Sequence, residues 1–196
     1  MIYVFLADGF EECEAIAPVD ILRRAGCEVF VGKVGEIAPN EGIVQGSRGI
    51  KIFADKHIFK ASQIDNIDDF YKLHNLEMIV LPGGAKGVEN LYASETLKHI
   101  IKYCVENKIP IGAICAAPSI LARLGFLKNI RATAYPSFRH YLTEGGAVLE
   151  ESEKVVTDNI FTTASAAGAS IEFGLELVKV LKGEAEAKKI ADAILF

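Results

Sequence analysis

Short apolar runs bounded by turn residues alternate along this chain with segments of helical period. Ile2–Leu6 is the first run and predicts a buried strand. Glu12–Arg24 follows with helical spacing. Ile16, Val19, Ile21 and Leu22 supply most of one apolar face, and Gly26 stops the helix. Glu28–Lys33 is the next strand. Gly42–Ala54 mixes glycine with β-branched residues and predicts a hairpin or a small extra sheet. Met78–Leu81 is a short buried strand that runs into Pro82-Gly83-Gly84-Ala85-Lys86-Gly87. Ser94 caps a helix over Glu95–Glu106, with Leu97, Ile100, Ile101 and Cys104 inward. Ile109–Ile114 is another strand, and a short helical pattern, Ser119–Leu124, follows it. Arg131–Ala134, Ala147–Leu149, Val155–Thr157 and Ile160–Thr163 are later strands. Two closing helices, Ser170–Leu181 and Glu184–Ile194, are separated at Gly183.

Alternation of this kind predicts an α/β fold, a mostly parallel sheet with helices on both faces. No repeat, linker or low-complexity stretch interrupts it, so residues 1–196 read as a single domain. The length of 196 residues suffices for a full core. A net charge of −5, without a basic cluster, argues against nucleic acid as the main partner. No apolar stretch reaches the roughly 18 residues of a membrane span. The apolar N-terminus has no basic flank and reads as a strand, not a signal peptide. Cys13, Cys27, Cys104 and Cys115 form no CxxC pair, so neither zinc nor a thioredoxin-like site is expected. Free thiols in a reducing cytoplasm are the better reading.

In open parallel sheets, sites form beyond the carboxyl ends of strands. Three such ends carry unusual residues. The first is Ala7-Asp8-Gly9-Phe10-Glu11-Glu12-Cys13-Glu14, the second Pro82-Gly83-Gly84, and the third Cys115. Cys115 closes an apolar run and is followed by small residues, a proline and a helical pattern, the signature of a nucleophile elbow. A helix N-terminus behind it would favour the thiolate. Cys13, Cys27 and Cys104 lack such a context and read as structural. Glu11 and Glu12 are explained by the helix dipole alone. Glu14 falls among inward positions, where burial near a thiolate would raise its pKa and make it a proton shuttle. Pro82-Gly83-Gly84 is either a tight turn or a backbone brought close to a reacting centre. In the second case the N–H groups of Gly84 and Ala116 would hold an oxyanion. A thiol hydrolase needs a histidine base. Of His57, His74, His99 and His140, only His140 follows a late strand and is placed to approach.

These motifs resemble the ThiJ/PfpI superfamily, in the branch of the Parkinson-linked protein deglycase. The resemblance runs nearly end to end. It includes Asp8-Gly9-Phe10-Glu11-Glu12-Cys13-Glu14, Pro18-Val19-Asp20, Arg23-Arg24-Ala25-Gly26, Ser47-Arg48, Leu81-Pro82-Gly83-Gly84, Ala113-Ile114-Cys115-Ala116-Ala117-Pro118 and Ser165-Ala166-Ala167-Gly168. It implies a flavodoxin-like three-layer sandwich that forms a homodimer. Cys115 is then the nucleophile, Glu14 its acid/base partner, and Gly83, Gly84 and Ala116 the backbone around the oxyanion. Arg48 is expected near the site, across the dimer interface. The implied activities are cofactor-free and metal-free. They are glyoxalase action on α-oxoaldehydes such as methylglyoxal and deglycation of early adducts. A cysteine-based oxidation sensor or chaperone is the alternative. Three departures stand out. Ala116 occupies the position of the histidine that follows the cysteine in the protease-like branch. None of the four histidines has Glu two residues on, as the related amidotransferases do. Tyr135 stands where many members of the nearest branch have histidine, and a phenol is a poor base at neutral pH.

Overall fold

The computed structural model describes residues 1–35, 42–57 and 75–196. A seven-stranded sheet runs through it in the order β10-β11-β7-β6-β1-β2-β5. Its strands are β1 (Ile2–Leu6), β2 (Val29–Lys33), β5 (Lys56–His57), β6 (Met78–Leu81), β7 (Ile111–Ile114), β10 (Val155–Asp158) and β11 (Phe161–Ala164). All neighbours are parallel except β10 and β11, which form an antiparallel edge. Two small sheets lie outside it. The hairpin of β3 (Ile43–Gln45) and β4 (Lys51–Phe53) confirms the reading of Gly42–Ala54. A parallel pair, β8 (Arg131–Ala132) and β9 (Val148–Leu149), takes up two later strands that the sequence does not assign to a sheet.

The central strands are buried on both faces, so their side chains alternate between two cores. Tyr3, Phe5, Ile79 and Leu81 point into one core. Helices α2 (Ala85–Tyr92), α3 (Glu95–Glu106) and α4 (Pro118–Arg123) cover it. Ile2, Val4, Leu6, Met78 and Val80 point into the other, which α1 (Glu12–Arg24), α6 (Ser170–Lys182) and α7 (Glu184–Ala193) cover. A short helix α5 (Arg139–Glu144) packs on α4. This is the expected three-layer sandwich.

Helix α1 departs from its predicted face. Ala15, Pro18, Ile21 and Leu22 are buried, Val19 is partly buried, and Ile16 is 44% exposed. The reason is its packing on α6: at Gly174, an added Cβ would meet Pro18 Cα at 3.2 Å. That close crossing turns Pro18 inward and Ile16 out. Among the described residues, no helix is long and apolar enough to cross a membrane.

The Ser94 cap is as predicted: its hydroxyl accepts the Leu97 N–H at 3.2 Å. Replacing a cap of this kind costs about 1 kcal/mol. Ser94→Ala is therefore expected to lower the unfolding free energy by that amount, read as a lower urea midpoint with the m-value unchanged. Loss of secondary structure confined to α3 would contradict it.

Candidate functional site

The loops after β1, β6, β7 and β11 meet at one edge of the sheet, at the carboxyl ends of parallel strands. They line a cavity of about 540 Å³. Glu14, Gly84, Cys115, Ala116, Tyr135 and Arg48 all border it. Six of the seven nominated residues thus converge on one cavity within a single chain.

Cys115 sits at a sharp bend. Its φ is +64°, in the left-handed region that L residues rarely adopt. The bend is pinned on both sides: the Cys115 N–H donates to Ala164 O at 2.8 Å, and Cys115 O accepts from Tyr135 N–H at 2.9 Å. The strand above and the helix α4 below leave the side chain projecting from the turn. This is the elbow geometry the sequence predicts.

Glu14 is fully buried one turn into α1. The Glu11 side chain caps that helix by accepting the Glu14 N–H at 2.8 Å. Glu14 Oε2 accepts the Gly83 N–H at 3.0 Å. The carboxyl also interacts with the Cys115 thiol. Its Oε1 is buried and has no hydrogen-bond partner of good geometry. Burial pushes the Glu14 carboxyl up to about 7. The nearby Glu11 adds to the rise, while Cys115 and the Gly83 N–H oppose it. At neutral pH this carboxyl is close to half protonated, as a proton shuttle requires.

The thiol differs from the sequence expectation. Burial raises the Cys115 pKa above the ordinary thiol range, and the Glu14 carboxylate raises it further. The N–H groups of Ala116 and Gly84 act in the opposite direction. A helix terminus of six residues does not outweigh the loss of water. The pair is better viewed as one unit that shares a proton. Protonating Glu14 removes the like charge and leaves two amide donors and a carboxyl facing the sulfur.

Gly83 and Gly84 have separate tasks. Gly83 does not border the cavity; its N–H holds Glu14. A Cβ there would meet Cys115 Cβ at 2.8 Å. Gly84 caps α2 with φ +89° and turns its own N–H toward the sulfur. The amides that face the sulfur are therefore those of Gly84 and Ala116, while that of Gly83 holds Glu14.

Arg48 is exposed on the loop between β3 and β4, at the rim of the cavity. That loop is held by Glu12, whose carboxylate accepts the Arg48 N–H at 2.6 Å and the Ser47 hydroxyl at 3.3 Å. Glu12 is buried and has this task besides facing the helix dipole. Lys86, Ser47, Ser137, Phe138 and the Ala166–Gly168 turn also line the cavity, and sequence reasoning assigned none of them a site role, although Ser47 and Ala166–Gly168 fall in motifs of the resemblance. The last was open to detection, since it follows a strand, β11, at the same sheet edge.

The histidine alternative loses its basis. His140 is exposed on α5, with its ring 4.1 Å from that of Tyr141, and it does not border the cavity. His99 is exposed on α3. His57 lies on β5, and His74 falls outside the described residues. All four cysteines are free. Among the described residues, no group of three or more His, Cys, Asp or Glu is arranged around a metal-sized space.

Residues 1–180 match the model of the DJ-1/PfpI family. The glutathione-independent glyoxalase DJ-1 of Schizosaccharomyces pombe is 32% identical over 90% of this chain and 88% of its own length. Protein DJ-1 homolog B of Arabidopsis thaliana is 34% identical over 99% of this chain, which spans only 41% of that longer protein. The solved structure of oxidized Toxoplasma gondii DJ-1 superposes with a TM-score of 0.85, at 33% identity, covering 100% of this chain and 97% of that one. With a matching fold and a family model covering most of its length, the chain belongs to the DJ-1/PfpI family.

Proposed function

We propose that this protein is a cofactor-independent glyoxalase or deglycase acting on α-oxoaldehydes or their early adducts. The observation that carries the reading is the buried Glu14 carboxyl, raised to about 7 beside the Cys115 thiol. In the first step Glu14 takes the thiol proton and the sulfur adds to the aldehyde carbon of methylglyoxal, giving a hemithioacetal. The N–H groups of Gly84 and Ala116 face the sulfur and are placed for the oxygen that gains charge. Glu14 then moves a proton from C1 to C2, so that the aldehyde carbon is oxidised as the ketone is reduced. Water hydrolyses the resulting thioester and lactate leaves. The sum is methylglyoxal plus water giving lactate, and no external oxidant or metal enters it. Tyr135, 45% exposed at the cavity wall, is a hydrogen-bond donor for a substrate oxygen rather than a base.

The same reading includes a homodimer. Ile16, Ile50, Ile171 and Phe196 are exposed and line a second, apolar cavity that shares Ala167 and Gly168 with the first. An exposed apolar patch of this kind suits a second copy of the chain. Sedimentation equilibrium is expected to give twice the mass of 21.2 kDa.

A second reading draws on the same geometry. Two amides and a carboxyl converge on the sulfur, which is also what would stabilise a sulfinate formed by peroxide. Methylglyoxal consumption and lactate formation without glutathione, run beside Cys115→Ala, test the enzymatic reading. Lactate formed by the parent protein alone supports it. No lactate from the parent, with Cys115 rapidly oxidised by peroxide, transfers the site to the sensor reading.

A further inference from the structure

We infer that the site has a second compartment that takes a carboxylate carried by the substrate, with Lys86 as its anchor. The inference rests on the enzymatic reading above and narrows its substrate class. A polar cavity of about 450 Å³ adjoins the reacting one, bounded by Asp8, Gly9, Gln45, Gly46, Ser47 and Lys86. Gly9, Ser47 and Lys86 border both. Lys86 therefore stands at the junction of the two spaces.

Its position is fixed by packing. The Lys86 stem lies across the Gly9 turn, so closely that a Cβ on Gly9 would meet Lys86 Cβ at 2.7 Å. The Gly87 N–H donates to Gly9 O at 3.1 Å and ties the same two segments together. Gly9 has φ +92°, a conformation glycine adopts at little cost. The turn after β1 thus serves as a bed for a lysine stem.

Two cations border the joined spaces, Lys86 at their junction and Arg48 on the reacting cavity. Among the described residues, neither the Lys86 ammonium nor the Arg48 guanidinium has an ion-pair or hydrogen-bond partner. Three acids face the same spaces, and each already accepts a backbone N–H. Asp8 Oδ1 accepts the Gln45 N–H at 2.9 Å, and Glu11 accepts the Glu14 N–H. Glu14 is the shuttle and is close to half protonated at neutral pH. Lys86 borders both spaces and Arg48 only the reacting one, so Lys86 is the cation that a carboxylate in the second compartment meets. Lys86 also opens the first turn of α2, where the helix dipole adds to its effect.

The chemistry that fits is an α-oxoaldehyde with a carboxylate at its far end. 4,5-Dioxopentanoate has this form, and its methyl ester removes the charge while adding one methyl group. The enzyme would convert it, with one water, to 2-hydroxyglutarate. The aldehyde carbon is oxidised, the ketone is reduced, and the distal carboxylate is unchanged.

The test is the ratio of kcat/KM for 4,5-dioxopentanoate to that for its methyl ester. The ratio is insensitive to a general loss of activity. It is expected to fall about tenfold in Lys86→Ala, mainly through KM, and to recover in Lys86→Arg. An unchanged ratio in Lys86→Ala overturns the compartment. A second readout needs no turnover: Cys115 alkylation by iodoacetate relative to iodoacetamide. Lys86→Ala is expected to lower that rate ratio several-fold. If the parent protein turns over neither the dioxo compounds nor methylglyoxal, the enzymatic reading fails. The alkylation ratio then decides the anion site, and equal ratios in parent and variant reject it.

Discussion

Glu14→Gln will remove turnover and at the same time make the protein more stable at alkaline pH. Both effects have one cause. The carboxyl is buried, and burial moves it from 4.5 to about 7. A carboxyl held above its unfolded value binds its proton more tightly in the native state. Its contribution is fully present below about 4.5 and is lost as pH rises through about 7. The interval corresponds to roughly 3 kcal/mol. Glutamine stays neutral throughout, so the variant escapes this loss. The stability difference between variant and parent should therefore be larger at pH 8 than at pH 5, by an amount of that order. Urea unfolding at the two pH values measures it, and the cost of burying an amide cancels in the comparison. For activity, loss of a positioned acid/base typically lowers kcat by about 10²- to 10⁴-fold. The parent's kcat/KM should rise with pH to a plateau with a midpoint near 7, and the variant should lack that limb. A variant that keeps the limb would assign it to another group. Normal turnover would end the shuttle role.

Much of this site could be read from sequence because each part is written in a local pattern. Ile2–Leu6 and Met78–Leu81 are continuous apolar runs, as strands covered on both faces must be. Cys115 ends such a run among small residues, which marks the elbow. What could not be read is the side-chain environment created by distant loops. The helix terminus behind Cys115 is local and suggested an acidic thiol. The desolvation that overrides it comes from the surrounding core and from Glu14, about a hundred residues away. Glu12 looked like a dipole residue because its partners, Ser47 and Arg48, lie on the hairpin loop. Ile16 looked inward because helical period gives a stripe but not its centre. Gly174 on α6 sets which residues of α1 face the core. Lys86 follows the Pro82-Gly83-Gly84 motif, but nothing in that run marks the lysine itself. Its role appears only when the β1 turn is laid beneath its stem.

Gly84→Ala should damage the site more than its one added methyl suggests. Two independent costs meet at this residue. Its φ of +89° with ψ 117° belongs to glycine, and strain of this kind costs on the order of 1–3 kcal/mol. The added Cβ would also meet Glu11 N at 2.7 Å and Phe10 C at 2.8 Å, besides Gly9 O. These are backbone atoms of the turn that carries Glu11 and leads into Glu14, so no side-chain rotation relieves the contact. Overpacking adds about 1–3 kcal/mol. Gly125 separates the two costs. It shares a positive φ, +80°, yet a Cβ there has no atom within 4 Å. Gly125→Ala should therefore lower stability through strain alone, and Gly84→Ala should lower it further by the collision. The kinetic effect should appear only at Gly84. Displacing its N–H from the developing oxyanion typically costs about 10²- to 10³-fold in kcat. Thermal unfolding and lactate formation on the two variants measure both parts. Equal unfolding midpoints and equal kcat would mean that the β1 turn yields to the methyl and that the Gly84 amide does not serve the reaction. A lower midpoint with undiminished kcat would keep the packing and assign the oxyanion to Ala116 alone.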